Sequence, residues 1–391
     1  MGTQKDRDET AKHNQVQAKK DTIQILNNNV EAWLNGTVKI PDTPSNPKRP
    51  DTYSVRARYI QCLLAPNYTV FSNTASQKQY IADHCKEDSS HYVVSLESPH
   101  NAIHLAVGGF YQEGEYNANP IFGANGDMGD NETAGFDPIF FFHHCYIDYI
   151  FSLWQRLHKR TKRGDLTIKK GYKGTFLAEK KGQQDFPPGT PLDMSTPLVP
   201  FKKPGTEDYY TSDDATDLNE LGIAYGTGFL HSLIPKGVEL ASSKKSPFDI
   251  IDPQLSDKTI LAGSDPNGGN LFPSIKRVPN INRANYEGSF VIRLFATAHD
   301  GKEYEVGREP VLSRGNLKGC RNCQSHLKEE SYFPLDARTL EILEGPGSAT
   351  GQKAEIKWQV KIQTRDRLLE PPGSNEESNS GEFEWPVVDD L

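Results

Sequence analysis

Residues 137–158 read DPIFFFHHCYIDYIFSLWQRLH, and this stretch decides the fold. Asp caps free amide groups and Pro suits the first helical position, so Asp137-Pro138 opens a helix that runs from Ile139 to about His158. The helix is strongly apolar and aromatic, yet His143 and His144 sit inside it. A polar ring in such a setting needs a partner to offset its burial, and a metal ion is one such partner. Working outward, the segment 92–109, YVVSLESPHNAIHLAVGG, reads as a helix that stops at Gly108-Gly109. His100 and His104 are four apart in it, which puts both imidazoles on one face where a single metal can bind them, with a third ligand brought from elsewhere. A Gly/Asn/Asp-rich loop from Gly109 to Gly135 joins the two helices. Imidazole ligation suits copper, zinc, iron or nickel, so spacing alone does not choose the metal.

Taken together, SLESPHNAIHLAVGG and FDPIFFFHHCYIDYIFSLW resemble the second copper-binding region, CuB, of the tyrosinase and polyphenol oxidase family, and of its fungal members in particular. The resemblance implies that His100, His104 and His144 are the CuB ligands and that His143 is a neighbour, because the family uses the second histidine of the doublet. It implies that Glu97 and Asn101 hold a water that helps deprotonate an incoming phenol, and it places Met128 and Phe140 near the substrate entrance. Asp148, four residues after His144 on the same face, is positioned to orient a ligand ring. The implied activity is oxidation of monophenols and o-diphenols to o-quinones, toward melanin, with phenolic small molecules and dioxygen as partners. Two copper ions are expected for the family, because reducing dioxygen to peroxide takes two electrons.

The sequence departs from that pattern in two places. Only His13, His84 and His91 precede His100, and Cys85 directly follows His84 with no histidine two residues on, so the family's first copper region, CuA, is expected to be missing from this chain. The usual Asn-Val-Asp-Arg after the doublet is replaced by Tyr146-Ile147-Asp148-Tyr149. A bundle without its CuA helices exposes apolar surface, so self-association is expected. The rival readings are a non-catalytic copper-binding or regulatory remnant, and a structural zinc module.

Elsewhere the chain reads as α+β: a partial α-helical type-3 copper bundle over 1–228, a β-rich, sandwich-like lid over 229–370, and an acidic mobile tail over 371–391. Amphipathic spacing predicts helices from about Lys12 to Leu34 and from Tyr53 to Leu64. Residues 159–227 are rich in turn signals, and SFVIRLFATA, EVGREPVL, TLEILEG and AEIKWQVKIQT read as short strands beyond them. The stretch GREPVLSRGNLKGCRNCQSHL resembles the C-terminal part of long fungal tyrosinases, which implies a domain covering the active site until it is cleaved. Its Cys320 and Cys323 form a CxxC pair suited to Cu(I) delivery, with His326 nearby.

Among the 391 residues, 44 Lys and Arg stand against 52 Asp and Glu, a formal net charge of −8 with no dominant basic surface, which argues against a nucleic-acid partner. No window approaches a membrane span or a signal peptide, so the chain as written is expected to be cytoplasmic, with no membrane partner. Five scattered cysteines make no disulfide framework.

Overall fold

The computed structural model describes residues 23–36, 53–110, 126–175, 186–187, 189–225, 272–286, 288–317, 327–345, 356–365, 367–371 and 385–391. Its helices are α1 (residues 23–35), α2 (Val55–Cys62), α3 (Tyr68–Ser72), α4 (Thr74–His84), α5 (Glu97–Val107), α6 (Ile139–Leu157) and α7 (Ala337–Glu344). The strands are β1 (Pro197–Lys202), β2 (Tyr209–Thr211), β3 (Ser274–Asn282), β4 (Phe290–Thr297), β5 (Glu303–Val311), β6 (Lys328–Leu335), β7 (Lys357–Gln363), β8 (Leu368–Leu369) and β9 (Asp389–Asp390). The fold is α+β, as the sequence leads one to expect.

Local chemistry explains the helix boundaries. Ser54 Oγ accepts from the Ala57 amide at 3.1 Å and caps α2, and Asp137 Oδ1 accepts from the Ile139 amide at 3.0 Å at the start of α6. Helices α3 and α4 were not legible as apolar patterns. Each is opened by an asparagine, Asn67 accepting from Val70 and Asn73 accepting from Ser76. Along α6, Ile150, Leu153, Trp154 and Leu157 follow the i, i+3, i+4, i+7 spacing and turn one face into the helical core. There Trp154 stacks on Phe71 with ring centroids 4.8 Å apart, and its indole N–H donates to the Ala65 carbonyl at 3.0 Å. That satisfied indole anchors the C-terminal half of α6 against the α2–α3 connection. The N-terminal half is the part left to carry the histidines.

The β-rich part holds two antiparallel sheets, ordered β5-β4-β7-β8 and β6-β3-β9. Both feed one apolar core, with Ile292 and Leu294 from β4, Val360 and Ile362 from β7, and Phe333 and Leu335 from β6. A separate two-stranded hairpin, β1-β2, stands in the segment read as loop-rich.

Two expectations need correction. TLEILEG is helical, forming most of α7, because Asp336 accepts from the Thr339 amide at 2.7 Å and the leucines at 340 and 343 fall on one helical face toward the core. The end of the tail is docked: β9 pairs with β3, and Trp385 Nε1 donates to the Val360 carbonyl at 2.9 Å. An acidic composition suggests solvation, but Trp385 and Val388 supply the apolar contacts that hold the end down.

The β-rich part also grips the helices. Arg58 on α2 pairs with Glu309 on β5 at 2.7 Å and reaches Ser98 on α5. Lys78 on α4 and Arg283 both pair with Glu329 on β6. Tyr53, just before α2, donates its hydroxyl to the Pro334 carbonyl at 2.9 Å. Its ring lies so close to Gly307 on β5 that an added Cβ there would sit 2.9 Å from the hydroxyl.

Candidate metal centre

The centre is built on two helices. On α5 the residues His100 and His104 share one face, and Ser98 and Leu105 lie on the opposite one. Leu105 is wholly buried in the helical core and Ser98 is engaged by Arg58 and Glu309, so the rotation of α5 is fixed from behind. That fixed rotation turns both imidazoles toward α6.

Each α5 imidazole is then oriented by its other ring nitrogen. His100 Nδ1 lies 2.9 Å from Asn101 Oδ1, and His104 Nδ1 lies 2.8 Å from the Met128 carbonyl. Both partners are oxygen acceptors, so Nδ1 carries the proton in each ring and Nε2 presents a lone pair. The two Nε2 atoms face each other at 3.2 Å, and His144 Nε2 lies 3.4 Å from His100 Nε2. Lone pairs pointed at one another repel unless something positive sits among them. His143 adds a fourth imidazole: its ring is stacked 5.0 Å from that of His100, and its buried Nε2 has no hydrogen-bond partner. Donor atoms of His100, His104 and His143 all lie within 4.8 Å of one another.

The electrostatics keep these rings neutral. Burial pushes His100 and His104 down to about 4, with neighbouring imidazoles adding to the effect while the Asn101 and Met128 hydrogen bonds oppose it. His143 is pushed to about 2 by burial and by the other three rings. His144 is lowered by burial and partly restored by the nearby Asp148 carboxylate. Neutral imidazoles are the form a metal binds. An orphaned buried nitrogen, converging lone pairs and an all-imidazole donor set together fit a copper ion.

Other residues singled out in the sequence fall at varied distances from this cluster. Phe140 lies 4.1 Å, ring to ring, from His144 and 5.9 Å from His104. Met128 is fully buried, and its carbonyl lies against His104. Glu97 directs Oε2 to the amide and hydroxyl of Thr74, at 2.7 and 2.9 Å, at the start of α4. Cys320, Cys323 and His326 lie outside the described residues. The sequence reading made His143 a neighbour of the ligands, and the structure places its ring in the cluster beside theirs. Nothing in the sequence pointed to the Met128 carbonyl, because a backbone acceptor leaves no residue-type signature.

Residues 2–157 match the family model for the common central domain of tyrosinase. A curated tyrosinase of a Hahella species, HcTyr2, is 39% identical over 353 residues, covering 88% of this chain and 58% of that protein. This chain is a member of the tyrosinase family. An Aspergillus oryzae tyrosinase is 37% identical over 327 residues, covering 80% of this chain and 54% of that protein. The solved structure of a Burkholderia thailandensis tyrosinase superposes with a TM-score of 0.63 at 37% identity, covering 88% of this chain and 58% of that one. The chain therefore spans a little over half the length of these relatives. The family is one of copper oxidoreductases, and the histidine cluster of this tyrosinase-family chain is consistent with a copper site. Among the described residues no helix is long and apolar enough to cross a membrane.

Proposed function

We propose that this chain holds copper through His100, His104 and His144 and serves the oxidation of phenols to o-quinones, of the kind that feeds melanin-type pigment. The observation that carries the reading is the convergence of Nε2 lone pairs on one point, with each α5 ring locked in the tautomer that aims it there. When bound, copper supplies one-electron redox chemistry and the capacity to bind dioxygen. The chain supplies orientation and protonation state. Asn101 and the Met128 carbonyl fix the ligand rings, and burial keeps them unprotonated. Asp148 raises the basicity of His144. Phe140 lies tilted against His144 and provides an aromatic wall for a phenol ring. Asn101 and Glu97, the latter through the Oε1 that its contact with Thr74 leaves available, hold the water that receives the phenolic proton, and Cys320 with Cys323 delivers Cu(I).

A second reading rests on a specific observation. The described residues offer a single imidazole cluster, whereas dioxygen reduction by copper needs two electrons. Beside it Phe136, Phe141 and Phe142 are 81, 65 and 72% exposed. This apolar face adjoins the histidines, so it is where a second set of imidazoles, or a second copy of the chain, would pack. Left uncovered, the chain binds copper without turning phenols over.

The test is copper per chain on purified protein loaded with Cu(I), followed by oxygen uptake with a monophenol and an o-diphenol. Two coppers with uptake support the oxidase; one copper without uptake supports the non-catalytic reading; no copper rejects both. His144→Ala is expected to lose the bound copper and His143→Ala to keep it, and the reverse result would move the third ligand to His143.

A further inference from the structure

Met128 reaches His104 from a turn that has no regular element to support it. Residues 127–129 form a single 3-10 turn, and the backbone interlocks with the end of α5: an added Cβ at Gly108 would lie 2.3 Å from the Gly129 Cα. The Gly126 amide donates to the Gly108 carbonyl at 3.2 Å, the one backbone hydrogen bond between turn and helix end among the described residues. A side chain from the β-rich part completes the arrangement. Arg365, in the turn that links β7 to β8, directs Nη2 to the Gly108 carbonyl at 3.3 Å and also to the Gly126 carbonyl. The same nitrogen lies 3.3 Å from where a Gly129 Cβ would be.

We propose that Arg365 is a positioning residue for the metal centre, joining the end of α5 to the 126–129 turn so that the Met128 carbonyl stays on His104 Nδ1. The cation gathers two carbonyl oxygens, at the helix C-terminus and at the turn's entry. C-terminal carbonyls of a helix carry partial negative charge, so a guanidinium there is favoured on electrostatic as well as hydrogen-bonding grounds. Without it one backbone amide links the turn to the end of α5, and the Met128 acceptor can shift on the His104 ring. A ring that loses its Nδ1 acceptor populates the Nε2–H tautomer as well, and in that form the Nε2 lone pair is occupied by a proton. Thus an element far along the chain tunes a ligand 261 positions earlier without touching the metal. The inference rests on His104 being a ligand, as proposed above.

The experiment uses the full chain labelled with 15N-histidine. In the metal-free protein near neutral pH, the ring nitrogens of His104 are expected to show the Nδ1–H tautomer, and Arg365→Ala is expected to bring in the Nε2–H form. Cu(II) affinity of the same variant should fall roughly tenfold, the usual scale for losing a partner that orients a ligand. Arg365→Lys keeps a cationic donor and should restore most of both signals, while Arg367→Ala, exposed on the same turn, should match the parent. A folded Arg365→Ala protein with unchanged His104 tautomer and unchanged affinity overturns the proposal, as does one that loses only thermal stability. Should Arg365→Ala not fold, Arg365→Gln is read by the same two signals. The tautomer readout needs no metal, so a parent that binds no copper would sink the functional reading and leave this test intact.

Discussion

Two regions of this molecule bury polar groups, and they do so in opposite ways. Where the β-rich part meets the helices, buried charges are paired: Arg58 with Glu309, and Glu329 between Lys78 and Arg283. Where α5 meets α6, four imidazoles converge, those of His100 and His104 with their Nε2 lone pairs inward, and His143 Nε2 has no partner. Burial of a polar atom is expensive in either place. The paired interface returns that cost within the protein, whereas the histidine cluster leaves it open to be met by a ligand. What marks the binding site is the convergence of several imidazoles, not a single unpaired atom.

The sharpest way to break the comparison is to unpair the structural side. Glu309→Ala leaves the buried Arg58 guanidinium uncompensated, and the expected loss is about 3–5 kcal/mol in chemical denaturation. Replacing both partners, Arg58→Met with Glu309→Leu, should cost clearly less, because no charge is then stranded. Equal losses in the single and double variants would show that packing, not charge pairing, holds the interface.

Acid should act on the same side, with a smaller effect. Burial would raise the Glu329 pKa, but Lys78 and Arg283 outweigh it and hold the folded-state value at about 2, below the ordinary 4.5. The unfolded chain therefore takes up a proton first. The contribution of Glu329 is complete above pH 4.5 and is lost as pH falls toward 2. Stability measured over that window should decline with acid, and Glu329→Gln should remove the part of the slope that Glu329 supplies. An unaltered slope in that variant would assign the acid sensitivity elsewhere.

The smallest effect sharpens the reading of α7. Asp336→Ala removes the cap on the Thr339 amide and should cost about 1 kcal/mol, read as a modest drop in Tm with copper binding unchanged. A change in copper binding would mean that the β-rich core and the histidine cluster are coupled more broadly than through Arg365.

The histidine spacing, the Asp-Pro opening of α6 and the β-prone runs were legible because each is local: a cap, a helical period or a strand pattern is written in neighbouring residues. The His100/His104 face follows from the 3.6-residue turn alone. The helical state of TLEILEG was not legible, since Leu and Ile serve strands and helices alike and the Asp336 cap lies just outside the quoted run. Nor was the docked end of the tail, whose few apolar side chains count only once β3 and β7 are there to receive them.

The sequence by itself determined the family, the α+β class and the helix face shared by His100 and His104. Only the tertiary structure decided that the Met128 carbonyl lies on His104, that His143 joins the cluster, that Glu97 turns to Thr74, and that Arg365 from the β-rich part bonds the Gly108 and Gly126 carbonyls. The physical reason is common to all four. Backbone acceptors and long-range side-chain contacts carry no residue-type pattern along the chain; they come into being when separate elements are brought within hydrogen-bonding distance.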